Sequence, residues 1–272
     1  MTQKILLTGA AGSIGGQLRP YLRQRYAQLV LSDCKDITDL AANERFCPGV
    51  LDDTAAMQAA CSNVDAIVHM GGQPQEADWE TVNSSNIQGF MTLMQAAQIA
   101  GVKRLVFASS NHTIGMYGRH RRISPDDKVR PDSRYGLSKA FGEALCALYA
   151  DKHGMRCLSI RIGNVSNTPA DRRRLSIWLH IEDLWELVTI GLEHPDLHNE
   201  IVFGCSDNSR SFWDNDTAFK LGYRPRHQSE AHQESALSHQ ALLSDDPVGD
   251  QLQGGSFGSA EFNGDLQRTL WS

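Results

Sequence analysis

The chain has 272 residues and a mass of 30.1 kDa, with 41% apolar and 21% charged side chains, enough to bury a large core and unlike a disordered or fibrous chain. A formal net charge of −6 argues against nucleic acid and against an anionic membrane surface as partners. No apolar run approaches a membrane span, the first residues lead into a strand instead of a signal peptide, and the six cysteines lack metal-site spacing. They read as reduced core residues of a cytoplasmic protein.

In chain order, Lys4-Ile5-Leu6-Leu7 reads as a buried parallel strand, and the helix after it starts near Ser13. Between them Gly9 allows the chain to turn sharply. Gly12 leaves room for a pyrophosphate, and Gly15 lets the helix lie close on the strand. The helix N-terminus, at Ser13 and Ile14, then faces phosphates with free N–H groups. Gln17 to Gln24 carries apolar residues at helical spacing. The second apolar run ends on Asp33, where a carboxylate accepts hydrogen bonds from both ribose hydroxyls and repels a 2′-phosphate. NAD is therefore the expected cofactor, with Lys35 nearby as the argument for some NADP use.

Residues 34–49 are polar and irregular, and Gly49-Val50-Leu51 reads as a short third strand. Ala55 to Cys61 is a predicted helix. Ala66 to Met70 is a fourth strand closed by Gly71-Gly72, Asn86 to Ala100 a long helix, and Arg104 to Ala108 a fifth strand. Strands alternating with helices of this length predict an α/β fold, a Rossmann-type doubly wound parallel sheet. The strand ends at Thr8-Gly9, Met70-Gly71-Gly72 and Ser109-Ser110 are expected to line one crevice. Further on come a helix from Tyr135 to His153, a sixth strand from Arg156 to Ile162, a helix from Trp178 to Leu192 and a strand from Glu200 to Phe203. The Ser-, Gln-, Asp- and His-rich remainder is expected to form a small, partly irregular C-terminal substrate cap. Residues 1–163 thus read as an NAD-binding Rossmann domain, and 164–272 as a substrate-binding cap interleaved with the sheet in a single structural unit.

Tyr135 and Lys139 stand four residues apart, about one turn, on one helix face. A free tyrosine has a pKa near ~10, and a neighbouring ammonium is expected to lower it and make Tyr135 a general base. Four other features take plainer readings. Arg119-His120-Arg121-Arg122 reads as a solvated surface loop, and His69 as a satisfied core histidine. Trp178, Trp185 and Leu187 to Leu192 read as core or subunit contact, and Phe212-Trp213 as a packing anchor. A homo-oligomer is expected.

Together the glycine turn Thr8 to Gly15, Asp33, the Asn86-Ile87-Gln88-Gly89 helix start, Ser110, Tyr135 and Lys139 resemble the extended short-chain dehydrogenase/reductase family. The resemblance implies a catalytic serine, tyrosine and lysine at Ser110, Tyr135 and Lys139. It also implies cofactor contacts at Leu51, Gly71 and Asn86, besides Tyr135 and Lys139. A narrower set looks like the bacterial uronate dehydrogenases and spans nearly the whole chain. It comprises Phe107 to Gly115, Arg161-Ile162-Gly163, Arg173 within Arg172 to Trp178, Trp213-Asp214-Asn215 and Gln253 to Phe257.

That likeness implies that Ser110, Asn111 and His112 contact sugar hydroxyls, that Arg173 clamps the substrate carboxylate, and that Phe257 lines the site. The arginine fork suits a planar carboxylate. The chain departs from the pattern at Gln73-Pro74, at Asn164-Val165, at Arg174 in place of an apolar residue, and at Val50 in place of an acidic one. Gln73, Asn164 and Arg174 therefore join the expected substrate shell. The function implied is oxidation of the C1 hydroxyl of an acidic hexose, glucuronate or galacturonate, to its aldonolactone. Sulfoquinovose and a hexose 6-phosphate remain open as substrates. A nucleotide-sugar epimerase or dehydratase is less well served, because only 110 residues follow Ile162. A non-catalytic NAD sensor would have no use for Ser110, Tyr135 and Lys139 together.

Overall fold

The computed structural model describes residues 4–271. Its main sheet has seven strands in the order β3-β2-β1-β4-β5-β6-β9. These are β1 (Lys4–Thr8), β2 (Gln28–Asp33), β3 (Glu44–Pro48), β4 (Ala66–His69), β5 (Arg104–Ser110), β6 (Arg156–Ile162) and β9 (Asn199–Gly204). A separate two-stranded sheet joins β7 (Asn164–Val165) to β8 (Trp178–Leu179). The β1–β2, β1–β4, β2–β3 and β4–β5 pairs are parallel. Every residue of β4 is buried, as expected of a parallel strand covered on both faces. The reversal of strand order at β1 and β4 is the doubly wound arrangement anticipated from the alternating pattern.

The helices are α1 (Ser13–Arg25), α2 (Thr54–Cys61), α3 (Trp79–Val82), α4 (Gly89–Ile99), α5 (Arg134–His153), α6 (Arg172–Ile177), α7 (Ile181–Glu193), α8 (Asp216–Lys220), α9 (Gln233–Gln240), α10 (Ser256–Ser259) and α11 (Leu266–Trp271). Among the described residues no helix is long and apolar enough to cross a membrane. The chain divides into two compact, interleaved units. The first contains the residues up to Ala108, Phe141–Ser159 and Val188–Glu200. Its core gathers Leu6, Ile67, Phe90, Leu93, Leu105 and Cys157, with Met57 and Met94; each such side chain contributes about 1.5–3 kcal/mol on burial. The second contains Ser109–Ala140, Ile160–Leu187 and the chain from Ile201 on. Its core is built on Ile114, Tyr117, Ile177, Phe203 and Trp213.

Four local differences from the sequence pattern have physical reasons. The third strand is Glu44–Pro48, not Gly49 to Leu51, and it pairs with β2 from Leu29↔Glu44 to Asp33↔Pro48. It is an edge strand and only part-buried, so it carries no continuous apolar run, while Val50 is exposed. The helix expected from Asn86 begins earlier. Asp78 caps α3, accepting from Thr81 N, and a π-turn over Asn83–Gln88 leads into α4. The polar Asn83-Ser84-Ser85-Asn86 run hides this continuation.

The helix expected from Trp178 starts at Ile181, because Trp178 and Leu179 pair instead with Asn164 and Val165. Finally, Arg119 is not part of a solvated loop. Its Nε donates to the Leu252 carbonyl at 2.9 Å and its Nη2 to the Gly249 carbonyl at 2.7 Å, while Arg121 lies 5.0 Å from the centre of the Tyr117 ring.

The other plain readings hold. His69 is buried, with Nδ1 2.6 Å from Thr8 Oγ1 and its ring stacked on Phe90. Trp213 stacks on Phe203 and donates from Nε1 to Gln253 Oε1 at 3.0 Å. All six cysteines are free, and all but Cys34 are buried.

Candidate active site

In the first unit the glycine turn is closed by the fold itself. Gly9 has φ +67°, and a Cβ there would come within 2.6 Å of the Met70 and Gly71 backbone. The ends of β1 and β4 are thus in contact. A Cβ on Gly15 would overlap the Gly9 carbonyl, which explains how α1 lies so close to the turn. Among the described residues, a Cβ on Gly12 would meet, beyond its own chain neighbours and helix, just the Gly9 carbonyl, so its outer side stays open to a ligand. Gly12 caps α1 without a side-chain acceptor, leaving the first-turn N–H groups, including those of Ser13 and Ile14, for an anion.

Asp33, at the end of β2, accepts from Ala11 N on one oxygen at 3.0 Å and from Lys35 N on the other at 2.9 Å. Those bonds fix the carboxylate and leave lone pairs for hydroxyl donors. Leu51 packs its Cβ against Gly89 and its Cδ1 against Gly71. Asn86, inside the π-turn, accepts from Gln73 N at 2.7 Å and donates to Gln73 O at 3.1 Å. It therefore holds the Gly71-Gly72-Gln73 turn in place. An open glycine turn, uncapped helix N–H groups and a fixed acidic strand end together fit a dinucleotide.

The second unit brings together Ser110, Asn111, His112, Tyr135, Lys139, Arg173 and Phe257. Strand β5 ends on Ser110, which caps a 3₁₀ turn over Asn111–Ile114 by accepting from His112 N at 3.2 Å. A hydrogen bond to Ser110 pulls the Tyr135 phenol down, but burial outweighs it and pushes the pKa up to about 12. The sequence expectation of a lowered value is therefore reversed. Lys139 Nζ lies 5.6 Å from the Tyr135 ring centre, and burial drives its own pKa down to about 8. Desolvation of both groups exceeds their mutual effect.

His112 stacks on Phe257 at 4.0 Å and meets Tyr135 edge-on at 5.9 Å. The Asn111 amide lies between the Ile162 carbonyl and Arg173 Nη2. Turned so that its nitrogen faces the carbonyl, it donates to Ile162 O at 3.1 Å and accepts from Arg173 Nη2 at 3.0 Å, the one orientation that satisfies both neighbours. Arg173 also donates from Nε to Gln253 O at 2.7 Å. It has no carboxylate partner among the described residues, and it is densely surrounded while keeping some accessible surface. Burial, with repulsion from Arg119 and Arg174, lowers its pKa to about 10. A guanidinium in that state is stabilised by an incoming anion.

Two departures from the family pattern fall differently. Arg174 is bonded to Asp171, whose other oxygen accepts from the Arg174 N–H and caps α6. Its charge is thus answered within its own helix. Asn164 Oδ1 accepts from Ser166 Oγ at 2.9 Å on β7. Two side chains that hold these residues carried no motif of their own. Asp132 bonds His112 Nδ1 through Oδ2 at 2.7 Å. Gln253 holds Arg173 by its carbonyl and spans to Gly118, Arg121 and Trp213 by its amide. The only sequence signal for them was the Gln253 to Phe257 stretch.

The model of the NAD dependent epimerase/dehydratase family matches residues 5–177. The uronate dehydrogenase of Pseudomonas putida is 41% identical over 94% of this chain and 96% of its own. The crystal structure of glucuronic acid dehydrogenase from Chromohalobacter salexigens superposes with TM-score 0.91 at 39% identity, covering 95% and 97% of the two chains. A mutant uronate dehydrogenase from Agrobacterium tumefaciens complexed with NAD gives TM-score 0.90 at 35% identity, again covering 95% and 97%. The glycine turn, the serine–tyrosine–lysine set and this likeness across the whole length agree: the chain belongs to the NAD dependent epimerase/dehydratase family, alongside the uronate dehydrogenases.

Proposed function

We propose that the protein is an NAD-dependent dehydrogenase that oxidises the C1 hydroxyl of a hexuronate, glucuronate or galacturonate, to the aldonolactone. The observation that carries the substrate class is Arg173, an arginine without a carboxylate partner among the described residues, tied through Asn111 to the strand end that bears Ser110. NAD is the cofactor, and when bound it supplies the hydride acceptor. Gly9, Gly12, Ser13, Ile14 and Gly15 hold its phosphates, Asp33 its ribose hydroxyls, and Leu51, Gly71 and the Asn86-pinned turn its remaining surface. Asp33 also disfavours a 2′-phosphate, so NAD is preferred over NADP. The protein works in the cytoplasm as a homo-oligomer, with neither nucleic acid nor membrane as partner.

In the reaction Tyr135 acts as its phenolate, the form that the Lys139 ammonium and the Ser110 hydrogen bond favour against the burial that raises its pKa, and accepts the proton of the C1 hydroxyl. Ser110 hydrogen-bonds the same oxygen, and Lys139 also holds the nicotinamide ribose. Asn111 and His112 orient the ring hydroxyls, Phe257 walls the sugar, and Gln73 and Asn164 complete the shell. Orientation in a dry site supplies much of the rate. Arg173 binds the carboxylate with the part of its fork not given to Gln253 and Asn111. Arg174 belongs to the shell only as a neighbour, its charge being answered by Asp171. A sulfonate or phosphate would ask for further donors at this point, which is why a uronate is favoured over sulfoquinovose or a hexose 6-phosphate.

The test is NADH formation with glucuronate, galacturonate, sulfoquinovose and glucose 6-phosphate offered separately, for wild type, Arg173→Ala and Arg174→Ala. The uronates should be turned over best. Arg173→Ala should raise KM by an amount corresponding to about 2–5 kcal/mol, whereas Arg174→Ala should change it little. Neutral glucose oxidised as well as the acids would remove the anion clamp from the account.

A further inference from the structure

Behind His112 lies a carboxylate that no motif announced. Asp132 stands just before α5, and its side chain has no exposed surface. Its Oδ2 is 2.7 Å from His112 Nδ1, and its Oδ1 accepts from Ser133 Oγ at 2.7 Å. Ser133 Oγ in turn accepts from Gly136 N at 2.9 Å, so its own proton is available to Oδ1. The main chain adds one more tie, since Asp132 N donates to His112 O at 3.3 Å.

Glycines from separate segments make room for this carboxylate. A Cβ on Gly115 or on Gly254 would overlap Asp132 Oδ2, and one on Gly136 would come within 3.2 Å of Oδ1 and overlap the His112 carbonyl. None of these glycines has a positive φ, so space, not backbone conformation, excludes a side chain. The enclosure thus fits one carboxylate in one rotamer. Serving only as a cap for α5 would require none of the contact to the imidazole.

A carboxylate can only accept, so the hydrogen between Asp132 and His112 sits on Nδ1. In the neutral ring Nε2 is then left with a lone pair, on a ring stacked on Phe257 and edge-on to Tyr135. We propose that Asp132 is a positioning residue: it fixes His112 in the Nδ1–H tautomer, so that Nε2 accepts a hydrogen bond from a hydroxyl of the bound uronate. His112 thereby selects a donor at that point of the sugar, and Asp132 acts on the substrate only through it. This rests on the hexuronate reading given above.

Asp132→Asn is the informative variant because it keeps shape while removing one acceptor. With its oxygen held by Ser133, the new amide faces Nδ1 as a donor and drives His112 to the Nε2–H tautomer. kcat/KM for glucuronate or galacturonate should fall by about fivefold to a hundredfold, the cost of leaving a buried sugar hydroxyl without its acceptor, with NADH affinity unchanged. In a His112→Ala background the same substitution should add nothing, since the two losses are one.

Nitrogen-15 spectra of the histidine rings give a readout free of activity, with the His112 signal assigned by its absence in His112→Ala. Wild type should show Nδ1–H, and Asp132→Asn should show Nε2–H. Wild-type kcat/KM in Asp132→Asn, additive losses in the double variant, or an Nε2–H ring in wild type would each overturn the proposal while leaving uronate oxidation intact. A wild-type protein inactive on every uronate would instead remove the hexuronate reading, and the substrate role of His112 with it.

Discussion

At the scale of single residues, Tyr135 and Lys139 are held where neither charge is comfortable. Burial puts the phenol at about 12 and the ammonium at about 8. The folded protein pays for a charged Lys139 that the unfolded chain carries freely up to its usual pKa of ~10.4. Between pH 8 and 10 the unfolded state therefore binds more protons, and stability rises with pH across that window. Denaturant midpoints should climb from pH 8 to 10 in wild type and lose that component in Lys139→Met; identical pH profiles would show that Lys139 is not desolvated.

Tyr135→Phe removes only the proton acceptor, so turnover should fall by at least about 100-fold while NADH fluorescence titrations stay near normal. Retention of a few percent of activity would sink the assignment of the base. The spacing of Tyr135 and Lys139 was legible because one helix turn is enough to recognise the pair. Asp132 was not, because its partner His112 lies twenty residues away and only the folded loop brings them together. Arg174 shows a related limit: a sequence shows a cluster of positive charge but not that Asp171 answers one member of it.

Elements buried on both faces were legible, and those at edges were not. β1 and β4 announce themselves by continuous apolar runs. β3 pairs on one side only and carries Glu44, Arg45 and Pro48, so its pattern is that of a loop. α6 escaped because Arg172-Arg173-Arg174 looks like a surface run. Yet Asp171 caps it, and Leu175, Ser176 and Ile177 are buried.

The stretch before α10 is a further case in which backbone shape decides function. Gly255 has φ +65°, and a Cβ there would stand 2.8 Å from Arg173 Cδ and 2.9 Å from Nε. Gly255→Ala therefore meets both an unfavourable backbone and the stem of Arg173, the proposed carboxylate clamp. Its expected signature is a raised KM for the uronate with an unchanged KM for NAD, read in initial rates. Equal damage to both constants would mean that the segment supports the fold at large and not Arg173.

At the scale of the whole molecule, the chain crosses between its two compact units several times. The sequence pattern loosens after Ile162, and a boundary near residue 163 is a natural reading of it. The contacts of the first unit run past that point. Glu193, in α7, accepts a two-pronged bond from Arg25, at 2.7 and 2.6 Å, and another from Tyr26 at 2.8 Å. Arg104 donates to the carbonyls of Gly191 and His194, and Gly191 packs on Val106 and Leu158, leaving no room for a Cβ. Cys157 N completes the set by donating to the His198 carbonyl at 2.8 Å.

A fragment of residues 1–163 keeps every NAD-contacting residue proposed here but loses this closing segment. It exposes Val106 and Leu158 and leaves the polar groups of Tyr26 and Arg104 without the partners just named. Losses of that kind, each costing about 1–3 kcal/mol, exceed what a domain of marginal stability can absorb. The fragment should therefore lack a cooperative thermal transition and fail to enhance NADH fluorescence, although the glycine turn and Asp33 are intact. Supplying the segment 188–200 through a flexible linker after residue 163 should restore at least the transition. A fragment of residues 1–163 that melts cooperatively and binds NADH like the full chain would show that the cofactor half is complete without α7.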